Sequence, residues 1–189
     1  MTTAVPNLDW ARDRVTEVFA DTVVGEFLTE QRGDDRSADA STWLVTTEFP
    51  TVAADLTSLL GGDTTEPMAT TGGHITVATR TTEVLVVLDG PEAVTCALVQ
   101  HAATRSLVPA ISVRFRLAHA YQLGAFRFQS ASWDLAETVI DVQHALAQTG
   151  GQSLCKLSLQ LVRFTARDGV EMAFRKPALT ALRAYGEQN

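Results

Sequence analysis

The chain has 189 residues, of which 46% are hydrophobic and 20% are charged, and its formal net charge is −7. A chain of this length and composition folds as a globular domain and buries roughly 70% of the surface that it exposes when unfolded. The composition excludes an intrinsically disordered chain. No segment approaches the ~20 consecutive apolar residues of a membrane span. The amino terminus lacks the basic start and apolar core of a secretory signal, so we expect a cytoplasmic protein.

The charge is distributed unevenly along the chain. Residues 1–110 carry 16 acidic and 6 basic side chains, whereas residues 111–189 carry 6 acidic and 9 basic ones. A chain that is acidic overall lacks the net electrostatic drive to bind free DNA by counterion release. The basic side chains of the second part can nevertheless gather on one local face.

The first segment has the spacing of a helix. Apolar side chains recur every three or four positions from Leu8 to about Leu28, which predicts an amphipathic N-terminal helix with Asn7 as its N-cap. The polar sequence GDDRSADA at 33–40 is typical of a linker. We therefore divide the chain into an N-terminal helix and linker, residues 1–40, and a single α+β domain, residues 41–189.

Strands and one short helix are predicted in the first part of that domain. Residues 42–48 have the composition of a strand, and Pro50 suits the first turn of a helix that ends before Gly61 and Gly62. Two more strands are predicted, His74 to Arg80 and Glu83 to Leu88. The segment Val94 to Gln100 fits either a strand or a short helix.

The second part of the domain alternates more clearly. Apolar and polar side chains alternate from Ile111 to Leu117, from Ala125 to Gln129 and from Cys155 to Leu161, which predicts three half-exposed strands. Ser132 is the expected N-cap of a helix whose apolar stripe is Leu135, Val139, Val142 and Leu146. Asp168-Gly169 predicts a hairpin turn, and Pro177 the start of a last helix to about Tyr185. The predicted fold is α+β, with a mixed, mostly antiparallel sheet flanked by helices.

No recognisable grouping of catalytic or metal-binding residues stands out. The glycine pairs are not followed by the Lys and Ser or Thr of a phosphate-binding loop. The histidines at 74, 101, 119 and 144 are not paired at metal-ligand spacing. Cys96 and Cys155 both have apolar neighbours, so we expect buried free thiols. The sequence predicts no catalytic residue, no metal and no cofactor.

Basic residues on the outward positions of the predicted strands form the one surface grouping of interest. If those strands are neighbours, the side chains share a sheet face and can bind phosphates, or the carboxylates of a protein partner. The alternative is a charged face that only keeps the sheet solvated. Trp133 is expected to be a packing anchor where the helix meets the sheet. The candidate partner-binding residues are Arg114, Arg116, Arg127 and Lys156.

Three short motifs resemble a known family. They are Trp-x-Val-Thr-Thr-x-x-Pro (Trp43 to Pro50), Leu-Leu-Gly-Gly (Leu59 to Gly62) and Leu-Gly-Ala-Phe-Arg-Phe-Gln-Ser-Ala-Ser-Trp (Leu123 to Trp133). Their order resembles that of actinophage recombination directionality factors, the accessory proteins of large serine integrases that are sometimes labelled hydrolases or metal-binding proteins. The resemblance covers about Thr42 to Leu179 and includes Arg175-Lys176-Pro177.

The resemblance implies a non-enzymatic protein that binds a large serine integrase in its DNA complex and biases recombination toward prophage excision. This function needs a binding surface and little or no affinity for free DNA. One alternative is a nucleic-acid-binding sheet whose arginines follow a phosphate backbone, although Phe126 and Phe128 are expected to face inward and not toward bases. Another is a different phage or defence protein-interaction module.

Overall fold

The structure is a computed structural model that describes residues 22–29, 42–65, 73–101, 105–167 and 169–186. These residues form a ten-stranded, mostly antiparallel sheet with two α-helices, which confirms the mixed α+β class. The strands are β1 (Val23–Thr29), β2 (Trp43–Thr47), β3 (Asp63–Thr65), β4 (Ile75–Ala78), β5 (Glu83–Leu88), β6 (Val94–Gln100), β7 (Leu107–Leu117), β8 (Ala125–Ser130), β9 (Ser153–Thr165) and β10 (Glu171–Ala184). The helices are α1 (Pro50–Leu60) and α2 (Trp133–Thr149), and two short 3₁₀ turns span Pro91–Ala93 and Tyr121–Leu123.

The strand order across the sheet is β10-β9-β5-β7-β8-β1-β2-β4-β3, and β6 also pairs with β7. Among the described strands only the β1–β8 pair is parallel. Strands β5 and β6 lie one after the other along the same edge of β7, because Val87 is opposite Arg116 and Val94 is opposite Val113. The turn at residues 89–93 therefore separates two strands that pair with successive parts of the same edge of β7.

Aromatic rings from four neighbouring strands form the centre of the core. The Phe27 ring contacts the rings of Trp43, Phe115 and Phe126 at centroid distances of 5.8, 5.3 and 5.6 Å, each edge to face. The Trp43 indole N–H donates to the carbonyl oxygen of Thr82 at 3.2 Å. All four rings are almost fully buried. Edge-to-face pairs of this kind stabilise the core beyond their buried area.

Both helices begin and end where the sequence indicates. Helix α1 has Pro50 in its first turn, and a Cβ at Gly62, beyond its end, would overlap the carbonyl oxygen of Ala78. In α2 the Ser132 hydroxyl accepts a hydrogen bond from the Leu135 N–H, and Gly150 ends the helix at φ +67°. The predicted stripe of α2 is buried against the sheet: Leu135, Val139, Val142 and Leu146.

The first correction concerns the amino-terminal segment. Residues 23–29, which the sequence assigns to the end of a helix, form strand β1. Strand β1 lies between β2 and β8, so tertiary pairing on both sides overrides the helical spacing. These residues thus belong to the sheet of the domain predicted to begin at residue 41. The rest of the predicted N-terminal helix and the linker at 33–40 lie outside the described residues.

The second correction concerns the carboxyl-terminal end. The last helix predicted from Pro177 is wrong, since β10 continues to Ala184 and pairs with β9 along its length. Pro177 is opposite Leu159. The Leu159 N–H points away from β10 and donates to the carbonyl oxygen of Thr82. Leu159 and Pro177 are therefore not hydrogen-bonded to each other, and the proline nitrogen faces the open edge of the sheet, where a strand tolerates it.

The other segments that the sequence predicts to be strands are strands in the structure. The segment Val94 to Gln100 is a strand, and β9 and β10 form the predicted hairpin with Gly169 at φ +83°. Asp168 lies outside the described residues. No helix in the described ranges is long and apolar enough to cross a membrane.

Candidate partner-binding surface

Arg114 and Arg127 lie directly opposite each other on β7 and β8, and both are exposed. Glu26 on β1 is the next residue in the same row, opposite Arg127. Its carboxylate lies 3.4 Å from the Arg127 guanidinium. The three side chains form a charged row across three neighbouring strands, with one more positive than negative charge. Such a row can bind a carboxylate or a phosphate through planar guanidinium groups.

Arg116 does not belong to this exposed row. It is only 9% exposed, and its Nη1 donates to Asp89 Oδ2 at 3.0 Å and to the Tyr121 hydroxyl at 3.1 Å. Its guanidinium carbon also lies 4.9 Å from the centroid of the Tyr121 ring. The expectation of a solvent-facing Arg116 is therefore wrong, because Asp89 and Tyr121, which follow β5 and β7, contact this side chain and cover it.

The network around Arg116 continues to the end of the sheet. The Gln152 amide donates to Asp89 Oδ1 at 2.7 Å and to the Tyr121 hydroxyl at 2.6 Å. The Tyr121 and Tyr185 rings stack at a centroid distance of 5.8 Å, and the Tyr185 N–H donates to the Gln152 carbonyl. Five separate segments meet in this network, which indicates a structural role.

Lys156 lies apart from the arginine pair. It is opposite Leu85 on β5, and its Nζ is 3.4 Å from a carboxylate oxygen of Glu83. Strand β5 lies between β9 and β7. On the side of β5 that faces β7, the Leu85 carbonyl oxygen accepts a hydrogen bond from the N–H of Ala118, which lies just beyond the end of β7. The structure therefore brings together Arg114 and Arg127 of the four predicted residues, and places Lys156 and Arg116 elsewhere.

The expectation for Trp133 is also wrong. Its side chain is 53% exposed, so it is not the packing anchor that the sequence suggests. It lies two residues before Leu135, and two residues correspond to about 200° around a helix, which turns it away from the buried stripe. The neighbouring Asp134 carboxylate is 3.2 Å from Lys176 of β10. Trp133 is thus an exposed side chain at the start of α2, next to the ion pair that joins α2 to β10.

Sequence reasoning missed a group of exposed apolar residues on the β9–β10 hairpin. Strand β5 stops pairing with β9 at Ser158, and beyond it the hairpin continues as a two-stranded ribbon, residues 160–176, which we call the arm. The hairpin turn predicted at Asp168-Gly169 indicated that two strands meet here, but it did not indicate that their apolar side chains are left exposed. The apolar residues of the arm that are 44–50% exposed are Phe164, Val170, Met172 and Phe174.

The two thiols have different surroundings. Cys155 is buried in the core, and burial raises the pKa of its thiol to about 12, as expected for an inert cysteine. Cys96 on β6 is exposed, so the prediction of two buried thiols is wrong for this residue. Among the described strands, β6 pairs only with β7. Within the described ranges, no three or more His, Cys, Asp or Glu side chains are grouped so that they could hold a metal ion.

Comparison with known proteins adds no assignment to this surface. No protein-family model matches the chain. No solved structure matches it either. The surface is therefore interpreted from its own residues: a charged row at Arg114, Arg127 and Glu26, the exposed Trp133, and the arm.

Proposed function

We propose that this chain is a non-enzymatic accessory protein that binds a large serine integrase in its DNA complex and biases recombination toward excision. The observation that carries the proposal is the position of the segment Leu123 to Trp133, one of the three motifs that carry the resemblance. This segment forms β8 and the start of α2, and it places Arg127 and Trp133 at the surface. Arginine and tryptophan are the side chains most enriched at binding hot spots.

A directional bias requires differential affinity. The factor must bind one conformation of the integrase–DNA complex more tightly than the other, because equal affinity for both shifts nothing. A hydrogen bond to a charged group contributes about 1.5–3 kcal/mol, and about 1.4 kcal/mol corresponds to a tenfold preference. One carboxylate that reaches Arg114 or Arg127 in only one integrase conformation would thus supply a useful bias.

A nucleic-acid-binding sheet is the alternative that the same arginines suggest. Base recognition on a sheet usually places aromatic rings beside basic side chains on one exposed face. Here Phe126 and Phe128 are at most 1% exposed, on the opposite side of β8 from Arg127. The exposed row therefore offers guanidinium groups without a stacking platform, which favours a protein partner over bases.

The proposal is tested with the large serine integrase encoded nearest to the gene of this chain. The purified chain is added to naked attachment-site DNA and to the preformed integrase–DNA complex, and both are resolved by gel electrophoresis. We expect a slower-migrating complex only when integrase is present. In a plasmid assay we expect more excision product and less integration product. An unchanged integrase complex together with unchanged product ratios would contradict the proposal, and tight binding to naked DNA would favour the nucleic-acid alternative.

A further inference from the structure

Strand β6 has an open outer edge. Among the described strands it pairs only with β7. An open edge presents backbone N–H and C=O groups on which another strand can pair. Six of the seven residues of β6 are exposed, and the strand contains no charged residue and no proline. The edge therefore lacks the features that usually protect an open edge from pairing.

The register of the β6–β7 pair shows which backbone groups face this edge. The His101 N–H donates to the Ser106 carbonyl oxygen in line with the pairing of the two strands, so the odd-numbered residues of β6 bond to β7. The even-numbered residues direct their backbone groups outward. Those of Val94 are already used, because its N–H donates to the Pro91 carbonyl oxygen and its own carbonyl accepts from the Gln143 amide at 2.8 Å. In the described part of the chain, the outward groups that stay open belong to Cys96, Leu98 and Gln100.

We propose that β6 pairs with β6 of a second copy of this chain, antiparallel about a two-fold axis at Leu98. The three open residues are symmetric about Leu98, so each of them faces an open residue of the other copy. Leu98 is opposite Leu98, and Cys96 is opposite Gln100, twice by symmetry. The two β6–β7 pairs then form one four-stranded sheet. This inference goes beyond the proposed function and does not depend on it.

The used and open groups select this register over its neighbours. The axis at Leu98 allows three hydrogen-bonded residue pairs, with two N–H···O bonds in each. An axis one residue earlier would set Gln100 against Val94, whose backbone groups are already used. An axis one residue later would set Cys96 beyond the end of β6. Each alternative therefore keeps only two of the three pairs.

Charge favours a second copy as the occupant. The chain has a net charge of −7, but the segment from Val94 to Gln100 is uncharged, so two copies meet there without opposing like charges. Two exposed side chains beyond its ends have opposite signs: Glu92 precedes β6, and Arg105 lies at the tip of the β6–β7 hairpin. Neither forms an ion pair with another described residue. In the antiparallel pair, Arg105 of each copy reaches the level of Glu92 of the other.

Pairing also covers exposed apolar side chains. Leu98 is 58% exposed, and the two Leu98 side chains meet at the axis on one face of the new sheet. On the opposite face, Ala97 of each copy meets Val99 of the other in the non-hydrogen-bonded position, where facing side chains approach most closely. The contact is a single strand pair, so we expect a weak, concentration-dependent dimer.

The experiment is sedimentation velocity of the full chain over a wide range of concentrations. We expect the weight-average mass to rise from the monomer value of 20.4 kDa toward twice that value. Leu98→Pro removes an N–H that β7 does not use, so we expect this variant to keep its circular dichroism spectrum and melting temperature. It should bind itself at least about tenfold more weakly. Leu98→Ala shortens the same side chain but keeps the N–H, and as the matched control it should associate more tightly than Leu98→Pro.

A disulfide tests the register directly. In the proposed pair, the Cα atoms of Cys96 and of residue 100 of the other copy are about 5.5 Å apart, a distance that a disulfide spans. Within one copy the same two positions are about 13 Å apart along the strand, so only two copies can form this bond. Oxidation of Gln100→Cys with diamide should give a covalent dimer linked between Cys96 and position 100, as mapped by mass spectrometry. The same variant with Cys96→Ser is the control and should stay unlinked.

A charge exchange tests the contact between Arg105 and Glu92. Glu92→Arg and Arg105→Glu each bring like charges together, so each should weaken association. Mixed one to one, the two variants regain opposite charges at both positions and should form the mixed dimer. Lys156→Glu, a charge reversal outside β6 and its flanks, should associate like the wild type.

Hydrogen exchange supplies a readout that local unfolding of β6 would not give. The Leu98 amide is expected to become protected as concentration rises, while the Val99 amide, already bonded to β7, stays constant. A monomeric mass at every concentration would overturn the proposal. So would Leu98→Pro dimerising like the wild type, an oxidised Gln100→Cys without the Cys96 linkage, or charge variants that do not recover on mixing, since each result would place any self-association elsewhere on the chain.

Discussion

The Asp89 carboxylate and the Arg116 guanidinium lie 3.0 Å apart, at the point where the edge of β7 passes from β5 to β6. The Arg116 side chain is 10% exposed, whereas the Asp89 side chain is 53% exposed. The pair therefore joins a solvated turn to a nearly buried cation. A cation in such a position is stable only while its partners remain, because an unpaired buried charge is costly.

The first prediction concerns this pair. Arg116→Ala and Asp89→Ala should each lower the free energy of unfolding, and the double variant should lose less than the sum. We expect a coupling free energy of about 1–3 kcal/mol from urea unfolding of the four proteins. Arg127→Ala with Glu26→Ala is the matched control. These side chains are 45% and 27% exposed, so neither is as buried as Arg116, and the pair should couple by less than about 1 kcal/mol. Equal coupling in the two cycles would contradict the burial of Arg116.

The second prediction compares two tryptophans. Trp43 is fully buried and Trp133 is 53% exposed. Trp43→Ala should lower the free energy of unfolding by about 3–5 kcal/mol, and Trp133→Ala should change it by less than about 1 kcal/mol. Thermal and urea unfolding of both variants measure this difference. A large loss at Trp133 would restore the packing-anchor interpretation.

The third prediction concerns thiol reactivity. The chain has two cysteines, of which Cys96 is exposed and Cys155 is buried with its pKa raised to about 12. The thiolate is the reactive species, so at neutral pH a disulfide reagent should modify Cys96 quickly and Cys155 only after unfolding. Counting released chromophore before and after addition of denaturant tests this. Cys96→Ser should show no fast phase, and a fast second thiol in the native wild type would refute the assignment.

The fourth prediction is a pH dependence that follows from the same burial. Because the folded pKa of Cys155 is about 12 and its ordinary value is 9.0, the unfolded chain releases this proton first as pH rises. The contribution of the buried thiol to stability is thus complete below pH 9 and is lost between pH 9 and 12, at most about 1.4 kcal/mol per pH unit. Urea unfolding at several alkaline pH values should show a smaller decrease for Cys155→Ala than for the wild type. Parallel decreases would contradict the prediction.

The fifth prediction concerns the charged row. Arg114→Gln with Arg127→Gln should leave the melting temperature within a few degrees of the wild-type value, because both side chains are exposed. If the proposed function is correct, the pair of changes should weaken binding to the integrase–DNA complex. Lys156→Gln removes a charge outside the row and is the control for net charge. Full binding by the double variant would show that the row is only a solvated face.

Local chemistry was sufficient for the elements whose signals lie within a few residues. Pro50 begins α1, Ser132 caps α2, and alternation from Cys155 onward marks β9. The same local rules failed at Val23–Thr29 and after Pro177, where pairing with distant strands determined the conformation. Strand pairing is non-local, so spacing along one segment cannot report it.

The candidate partner-binding surface was likewise predictable in part from local sequence and in part only from the tertiary structure. The sequence by itself determined that Arg114 and Arg116 share one side of a strand, because side chains alternate with a period of two. Only the tertiary structure decided that Arg114 stays exposed while Asp89 and Tyr121 enclose Arg116. It also decided that Trp133 and the apolar face of the arm are exposed. Alternation assigns a side chain to a face, whereas exposure depends on which distant segments cover that face.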